Sequence, residues 1–560
     1  MITIVYYILA IILVSTVISL GSNIKRNREI KKRIETNWGE EVEEKYSEDD
    51  LKTIAEYFNN KKNAEENKFF IDEITWNDLS MDSIFKKINT TESSPGEQCL
   101  YNILREPLFN EQELKQRDKL INFFDEHKDE RKKIQYMLAK LGKKRSCLIS
   151  DYFYNKDEKI KSNLMYYRIL AAMPFICIGV MFLNAQIGVI AILTAILVNM
   201  YTYYRGKMKL SYKLESFKYI VQIIKYADLI LKEDIKELES YNVKLKESFH
   251  ELRSIKNVSF NAGNNGTDVG IMNEYIGILL LRDLINYEKM SDMLKKKSNE
   301  FKIIFEVIGT IDSLIAIASY RKRVNYYVTP ELTKCINKQE QISTFRDMIH
   351  PLIKKSIPNS LEMTDSILIT GSNASGKSTF LKTLAINIIF AQTIYTCLAK
   401  EFKCCYFKIY TSMALKDDIF NKESYYIVET RSLKRIIDGV NEEIPTICFV
   451  DEILRGTNTI ERISASSQVL KYLTLNNCIC VAATHDVELT HILEKYFTNY
   501  HFQEEIENNE ITFDYKMYKG RSTTQNAIKL LGILGYNDTI VQKAQAKADK
   551  FLNDGVWEAE

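Results

Sequence analysis

Gly371, Ser372, Asn373, Ala374, Ser375, Gly376, Lys377, Ser378 and Thr379 fit the spacing G-x-x-x-x-G-K-[ST]. In such a loop the glycines let successive backbone N–H groups turn inward around phosphate oxygens. Lys377 can reach the β- and γ-phosphates, and the Ser378 hydroxyl can ligate Mg²⁺. The N-terminus of a following helix adds its partial positive charge. The expected ligand is therefore a nucleoside triphosphate, ATP, with Mg²⁺. A second constellation closes the site. The apolar run Thr446–Val450 ends on Asp451-Glu452. Asp451 would hold Mg²⁺, commonly through water, and Glu452 would orient and deprotonate the attacking water. His485 follows the apolar run Cys478–Ala483 and is placed to sense the γ-phosphate. A single histidine after a strand serves structure as readily.

These residues need elements to position them. Ser366–Thr370 reads as the strand before the loop, and Phe380 to about Ala391 as the helix after it. Beyond Tyr327, short β-branched runs at Ser366–Thr370, Thr446–Val450, Cys478–Ala482 and Ile511–Met517 alternate with helical segments. That alternation predicts an α/β P-loop domain with a mainly parallel, ABC-like sheet. From Glu97 to about Ala318 helical periodicity dominates, interrupted by an apolar stretch and by the loop Asn261–Asp268. These helices read as long levers. Asn89–Gly96 carries loop and capping residues, and Asn23 to about Phe70 reads as a charged, solvated helix.

A chain of 560 residues exceeds one ordinary core. Its 46% hydrophobic and 27% charged residues are globular, and 7 prolines with 20 glycines leave little room for a sandwich or long linker. Net charge is +2, from 76 basic and 74 acidic residues, which neither requires nor excludes nucleic acid. The 10 cysteines show no C-x-x-C pair or zinc spacing. Cys404-Cys405 and Cys478/Cys480 read as buried reduced thiols, which fits a reducing cytosol.

Two regions suggest a membrane. Ile2 to Gly21 is uncharged and is followed by Lys25, Arg26, Arg28, Lys31, Lys32 and Arg33. At about 1.5 Å per residue it approaches the roughly 30 Å of a hydrocarbon core. Positive charge after the apolar run predicts an anchor with Met1 outside, not a cleaved leader. Ile169–Tyr204 is a second uncharged run, interrupted by Asn184 and Gln186, with tyrosines and basic residues at both ends. It predicts two helices of about 17 residues joined by a tight turn. A hairpin buried in a soluble core is the alternative. The expected location is the cell membrane, multi-pass, with the charged domains in the cytoplasm.

Longer tracts carry a family resemblance. Asp451 to Thr459 (DEILRGTNT) resembles the D-E-I-G-R-G-T-S-T tract of MutS, the DNA mismatch-repair ATPase. Ala483-Thr484-His485 with Glu488-Leu489-Thr490 is similar to its A-T-H-x-x-E-L-T, and Asp417-Asp418 with Ser424 to Glu429 to its D-D…S-T-F-M-x-E signature. Gly520 to Phe551 resembles the closing helix-turn-helix, His350-Pro351 and Pro358-Asn359 the approach to the ATPase domain, and Pro95 to Leu108 more weakly the start of the core. The resemblance implies a homodimer with composite ATP sites, in which Ser424 reaches the partner's γ-phosphate and His485 reports hydrolysis. The expected organisation is an anchor (1–21), a charged segment (22–94), a helical core and lever region (95–326) with the hairpin at 169–204, the ATPase domain (327–520) and a dimerisation segment (521–560).

There are departures. Ser372, Ala374, Ser375 and Leu454 replace the family's Pro, Met, Gly and Gly, and the stretch before Pro95 is too short for the mismatch-reading domain. The expected function is a membrane-anchored, MutS-like ATPase acting on double-stranded DNA in a repair-type role. The alternative is a membrane-bound motor or signalling ATPase with a protein partner. An ABC transporter is disfavoured by the missing L-S-G-G-Q signature.

Overall fold

The computed structural model describes residues 21–42, 44–154, 163–252, 275–335, 342–372, 375–413, 425–441, 443–507, 510–522, 527–533 and 535–555. The apolar run before Gly21, the loop Asn261–Asp268, Asp417-Asp418, Ser424, Asn373 and Ala374 lie outside them. The chain divides into two units, and the division is not a single cut. The first takes 1–68, 87–103 and 116–323, and the second takes 69–86, 104–115 and 324–560.

The first unit is helical. Its axis is the helix Ser298–Arg323, which buries residues on every side, from Phe301 and Phe305 to Leu314 and Ile317. Two glycines allow the helix Ser94–Arg105 to approach it closely. A Cβ on Gly309 would lie 2.3 Å from Cys99 Sγ, and one on Gly96 2.2 Å from Asp312 Oδ2. Asp312 also caps that helix, accepting from Ser93 N at 2.8 Å and Ser93 Oγ at 2.5 Å. Burial raises the Asp312 carboxyl to about 7, against the hydrogen bonds from Ser93 and Glu92. The charged segment before Phe70 is not wholly solvated. The helix Glu48–Ala64 buries Ile54, Tyr57 and Phe58, and Tyr57 Oη donates to Glu306 Oε1 at 2.7 Å.

The uncharged run forms a hairpin of Leu164–Leu183 and Ala185–Leu231. Asn184 makes the turn, its Oδ1 accepting from Gln186 N at 3.1 Å and Ile187 N at 3.2 Å. Gly188 permits the crossing, since a Cβ there would meet Met181 Cα at 2.3 Å. The second helix is not the short element expected. It runs for 47 residues, because the charges after Tyr204 change its surroundings without breaking the helix. Leu164–Leu183 and Ala185–Leu210 are long and apolar enough to cross a membrane, by length and composition, and only 17% of each window is buried.

The second unit holds two mixed sheets. The larger is formed by β4 (Ser366–Thr370), β6 (Lys408–Ser412), β7 (Thr446–Asp451), β8 (Cys478–Ala483), β9 (Phe497–Glu507) and β10 (Glu510–Lys519), ordered β10-β9-β4-β8-β7-β6. All its pairings are parallel except β9–β10. β4 and β8 are buried at every position, which is why they read as unbroken apolar runs. The smaller sheet is β1 (Glu331–Thr333), β2 (Ser343–Met348), β3 (Asn359–Met363) and β5 (Glu401–Cys405), ordered β1-β5-β2-β3. Here one cysteine reading is corrected. Cys405 is disulfide-bonded to Cys335, with Cα atoms 5.8 Å apart. The parallel β1–β5 register pairs Thr333 with Cys405 and so brings Cys335 within reach across 70 residues.

Two early segments complete this unit. Ile71 N donates to Arg105 O at 2.9 Å, and the Arg105 guanidinium lies 4.0 Å from the Trp76 ring centre and 2.8 Å from Glu73. Buried Asp78 accepts from Thr411 Oγ1 at 2.6 Å and Met413 N at 3.0 Å, fixing the end of β6. Asp72 pairs with Arg435 at 2.7 Å.

Candidate functional site

The parallel strands β4, β7 and β8 end at one edge, where crossover connections leave a crevice for ligands. Their ends are level. Ala483 is in register with Ile369 of β4 and with Asp451 of β7. Thr484 N donates to Ile369 O at 3.0 Å, and Glu452 N to Ala483 O at 2.9 Å. The strand order places β8 between the P-loop strand and the acidic strand, so His485 emerges between Lys377 and Glu452.

The described part of the loop 371–376 is tightly packed. Gly371 has φ +147°, and a Cβ on it would lie 2.7 Å from Phe502 O and 3.0 Å from Ser375 Oγ. Lys377 begins the helix Lys377–Thr393, and its Nζ donates to Gly371 O and Ser372 O, each at 2.7 Å. Burial depresses the Lys377 ammonium to about 8. Asp451 opposes that shift, Arg455 adds to it, and Glu504 opposes it. Ser378 and Thr379 follow in the first turn.

Asp451 ends β7 with its Oδ1 shielded from solvent and unpartnered among the described residues. Glu452 is held from two sides. His485 Nε2 lies 2.9 Å from its Oε1, and the Arg455 guanidinium pairs with its Oε2. Burial, Lys377 and Arg455 all lower the His485 pKa, so near neutral pH the ring is uncharged and donates Nε2–H. His485 is thus paired with Glu452.

The backbone carrying these groups is strained. Glu452 and Leu454 have φ of +57° and +56°. A left-handed conformation costs about 1–2 kcal/mol for a non-glycine residue. Leu454 occupies a position where the resemblance expects glycine, the residue suited to that backbone. Its side chain is buried among Ile453 and Leu470, which offsets part of the strain. Glu429 Oε1 accepts from Leu454 N and pins the loop from the helix Tyr425–Gly439. Burial raises the Glu429 carboxyl. Past the same edge, Asp486 forms a two-point pair with Arg462, at 3.0 and 2.6 Å.

A cavity of about 180 Å³ adjoins the loop, lined by Ile353, Asn359, Gly376, Phe380 and Tyr515 among others. The β9–β10 register shifts between Phe513 and Met517, where Tyr515 has φ +55°. Asn359 locks that bulge, its Nδ2 donating to Tyr515 O at 2.9 Å and its Oδ1 accepting from Met517 N at 2.8 Å. Sequence reasoning missed Tyr515 and Asn359 as lining groups. The only local signal was Pro358-Asn359.

The residues present fit a Mg²⁺-nucleotide. A loop with no room for a Cβ at Gly371, a buried ammonium and a shielded carboxylate oxygen unpaired among the described residues stand together. The comparisons agree with this region. Residues 367–552 match the family described as MutS domain V. The chain is 29% identical over 278 residues to the DNA mismatch repair protein MutS of Pseudothermotoga lettingae, covering 48% of this chain and 33% of that protein. It is 26% identical over 292 residues to that of Methanosarcina barkeri, covering 49% and 32%. For that of Thermus thermophilus the values are 27% over 262 residues, 46% and 31%. The matched region spans about a third of each of these relatives.

Proposed function

Since this chain belongs to the MutS family by its C-terminal region, we propose that it is a membrane-anchored ATPase whose homodimer couples ATP binding and hydrolysis to lever movement on double-stranded DNA, in a repair-type role. The carrying observation is the meeting of Lys377, Asp451 and the Glu452–His485 pair at the ends of β4, β7 and β8. In this reading the ATPase domain is ABC-like and the loop Gly371–Thr379 holds the phosphates, with Lys377 on the β- and γ-oxygens. Ser378 and Asp451 hold Mg²⁺, which neutralises phosphate charge. Glu452 takes the proton of the attacking water at its carboxylate, and His485 Nε2 keeps that carboxylate oriented. The cavity beside Tyr515 takes the nucleobase. Ser424 of one protomer completes the partner's site, and the C-terminal helices pack across the dimer.

The membrane part rests on the hairpin. Phe182 and Leu183 are 84% and 89% exposed, and Phe175, Ile176, Ile190 and Leu197 are each above 60%. Surfaces of that extent call for a partner or a bilayer. A hairpin of this kind inside the lever region favours a second reading, an ATPase that moves its levers against a protein partner without DNA. A salt titration of duplex DNA binding by the detergent-solubilised full chain separates the two. The DNA reading expects an affinity that falls steeply with salt, as phosphate contacts require. Intact ATPase activity with no DNA binding at low salt would overturn it and leave the second. For the membrane, an impermeant thiol reagent should label Asn184→Cys, in a Cys177→Ala background, from outside intact cells. Labelling only after permeabilisation would refute a crossing hairpin.

A further inference from the structure

At the foot of the hairpin lies a short apolar segment that the chain's hydropathy does not single out. Residues 275–281 read Tyr-Ile-Gly-Ile-Leu-Leu-Leu, bounded by Arg282 and Asp283. Seven residues are too few to span, and the first five form little more than a helical turn. One side of the segment packs on the hairpin. Ile278 and Leu281 are buried with Tyr167, Leu170 and Tyr203. The other side is open, with Tyr275 68% and Ile276 44% exposed.

The backbone carbonyls exposed by this packing are bonded within the protein, whereas the buried Oδ1 of Asn199 has no partner among the described residues. Pro174 lacks the N–H that would bond Leu170 O within the helix Leu164–Leu183. Leu279 is the last helical residue of the segment, whose turn is closed by Leu280 N donating to Ile276 O at 3.0 Å. Asn199, fully buried in the second hairpin helix, donates its Nδ2 to both carbonyls, at 3.0 Å to Leu170 O and 2.8 Å to Leu279 O. Both carbonyls are thereby satisfied without solvent, a condition that a segment facing hydrocarbon must meet, since each unsatisfied group there costs several kcal/mol. Tyr203 Oη donates to Asp283 Oδ2 at 3.1 Å and ties the charged end of the segment to the hairpin's foot.

Depth follows from helix geometry. Exposed Arg168, Arg205, Lys207 and Lys209 mark the level of the headgroups. Asn199 lies six residues tip-ward of Arg205, about 9 Å at 1.5 Å per residue. Leu279 is bonded to it and reaches the same depth. Apolar elements lying in the plane of a membrane sit about 5–10 Å into the headgroup–acyl boundary.

We propose that residues 275–281 are a further membrane element, an apolar wedge seated in the leaflet at the hairpin's foot and pinned there by Asn199. The partner is the bilayer itself, an anionic phospholipid interface facing the basic residues at that level. The wedge rests on the membrane reading of the hairpin, and its test separates the two. A benzoylphenylalanine photo-crosslinker is placed in turn at the positions of Tyr275, Ile276, Ile187 and Val243 of the full chain. Each protein is reconstituted into phosphatidylethanolamine–phosphatidylglycerol vesicles, irradiated and analysed for phospholipid adducts. Ile187 lies near the hairpin tip, and Val243 is 49% exposed on the helix Glu239–Leu252. The wedge expects adducts at Tyr275 and Ile276 in yields comparable to Ile187 and several-fold above Val243. Adducts at Ile187 alone would overturn the wedge and leave the hairpin inserted. Adducts at none of the positions would overturn both. Equal yields at all, Val243 included, would reduce the labelling to nonspecific contact and refute the assignment.

Discussion

Replacing Glu452 separates the roles of the two groups that face each other at the edge of the sheet. Glu452→Gln keeps the side-chain shape but cannot take a proton, so turnover should fall by about 10²–10⁴. At 1.36 kcal/mol per decade that is about 2.7–5.4 kcal/mol of activation free energy. Nucleotide affinity should be retained, because the loop and Asp451 are untouched. His485→Ala removes one hydrogen bond to a charged carboxylate, at 2.9 Å. Such bonds contribute about 1.5–3 kcal/mol. The imidazole is 36% exposed, so the low end applies and a loss of roughly tenfold is expected. If His485 acts by positioning Glu452, the double variant is no slower than Glu452→Gln alone, because the two losses share one route. Single-turnover hydrolysis with radiolabelled ATP, beside fluorescent-nucleotide binding, reads both quantities on the reconstituted chain. Losses that multiply in the double variant would refute the positioning role and return His485 to a direct contact with the γ-phosphate. Lost affinity with unchanged turnover in Glu452→Gln would make that carboxylate a metal-linked group.

Lys377→Ala should abolish nucleotide binding or turnover, and unchanged hydrolysis would refute the site. With its ammonium at about 8, Lys377 is cationic below that pH and neutral above it. Affinity measured by fluorescent nucleotide should therefore weaken as pH rises beyond about 8, by at most tenfold per unit; a flat profile to pH 10 would count against the contact. Ser424→Ala and Lys377→Ala, each expected to be inactive alone, should regain partial ATPase activity when mixed, because a heterodimer concentrates both lesions in one composite site. A mixture that stays inactive despite demonstrated heterodimers would sink the trans-acting role of Ser424. Gly309→Ala forces a Cβ to within 2.3 Å of Cys99 Sγ and 2.5 Å of Pro95 O. It should destabilise the helical unit by about 1–3 kcal/mol, the usual range for overpacking, and an unchanged thermal midpoint would refute that packing argument.

What was legible in the sequence was what single elements encode. β4, β7 and β8 were visible as apolar runs because strands buried on both faces admit few polar residues. The groups at their ends, Gly371, Asp451 and Thr484, are fixed by chain position, so the motifs placed them without any knowledge of the sheet. The hairpin was visible for the same reason, as uncharged length, although the continuation of its second helix to Leu231 was not. Tertiary structure alone decided which elements are neighbours. The order β4-β8-β7 sets His485 against Glu452, and the parallel pairing of β1 with β5 brings Cys335 to Cys405. The same holds for Asp78 on Thr411, Asn359 on Tyr515, and Asn199 on Leu279. Each joins residues far apart in the chain, through crossovers and side-chain bonds that leave no period in the local pattern. Hydrophobic periodicity records which face of an element is buried, and it carries no information about what buries it.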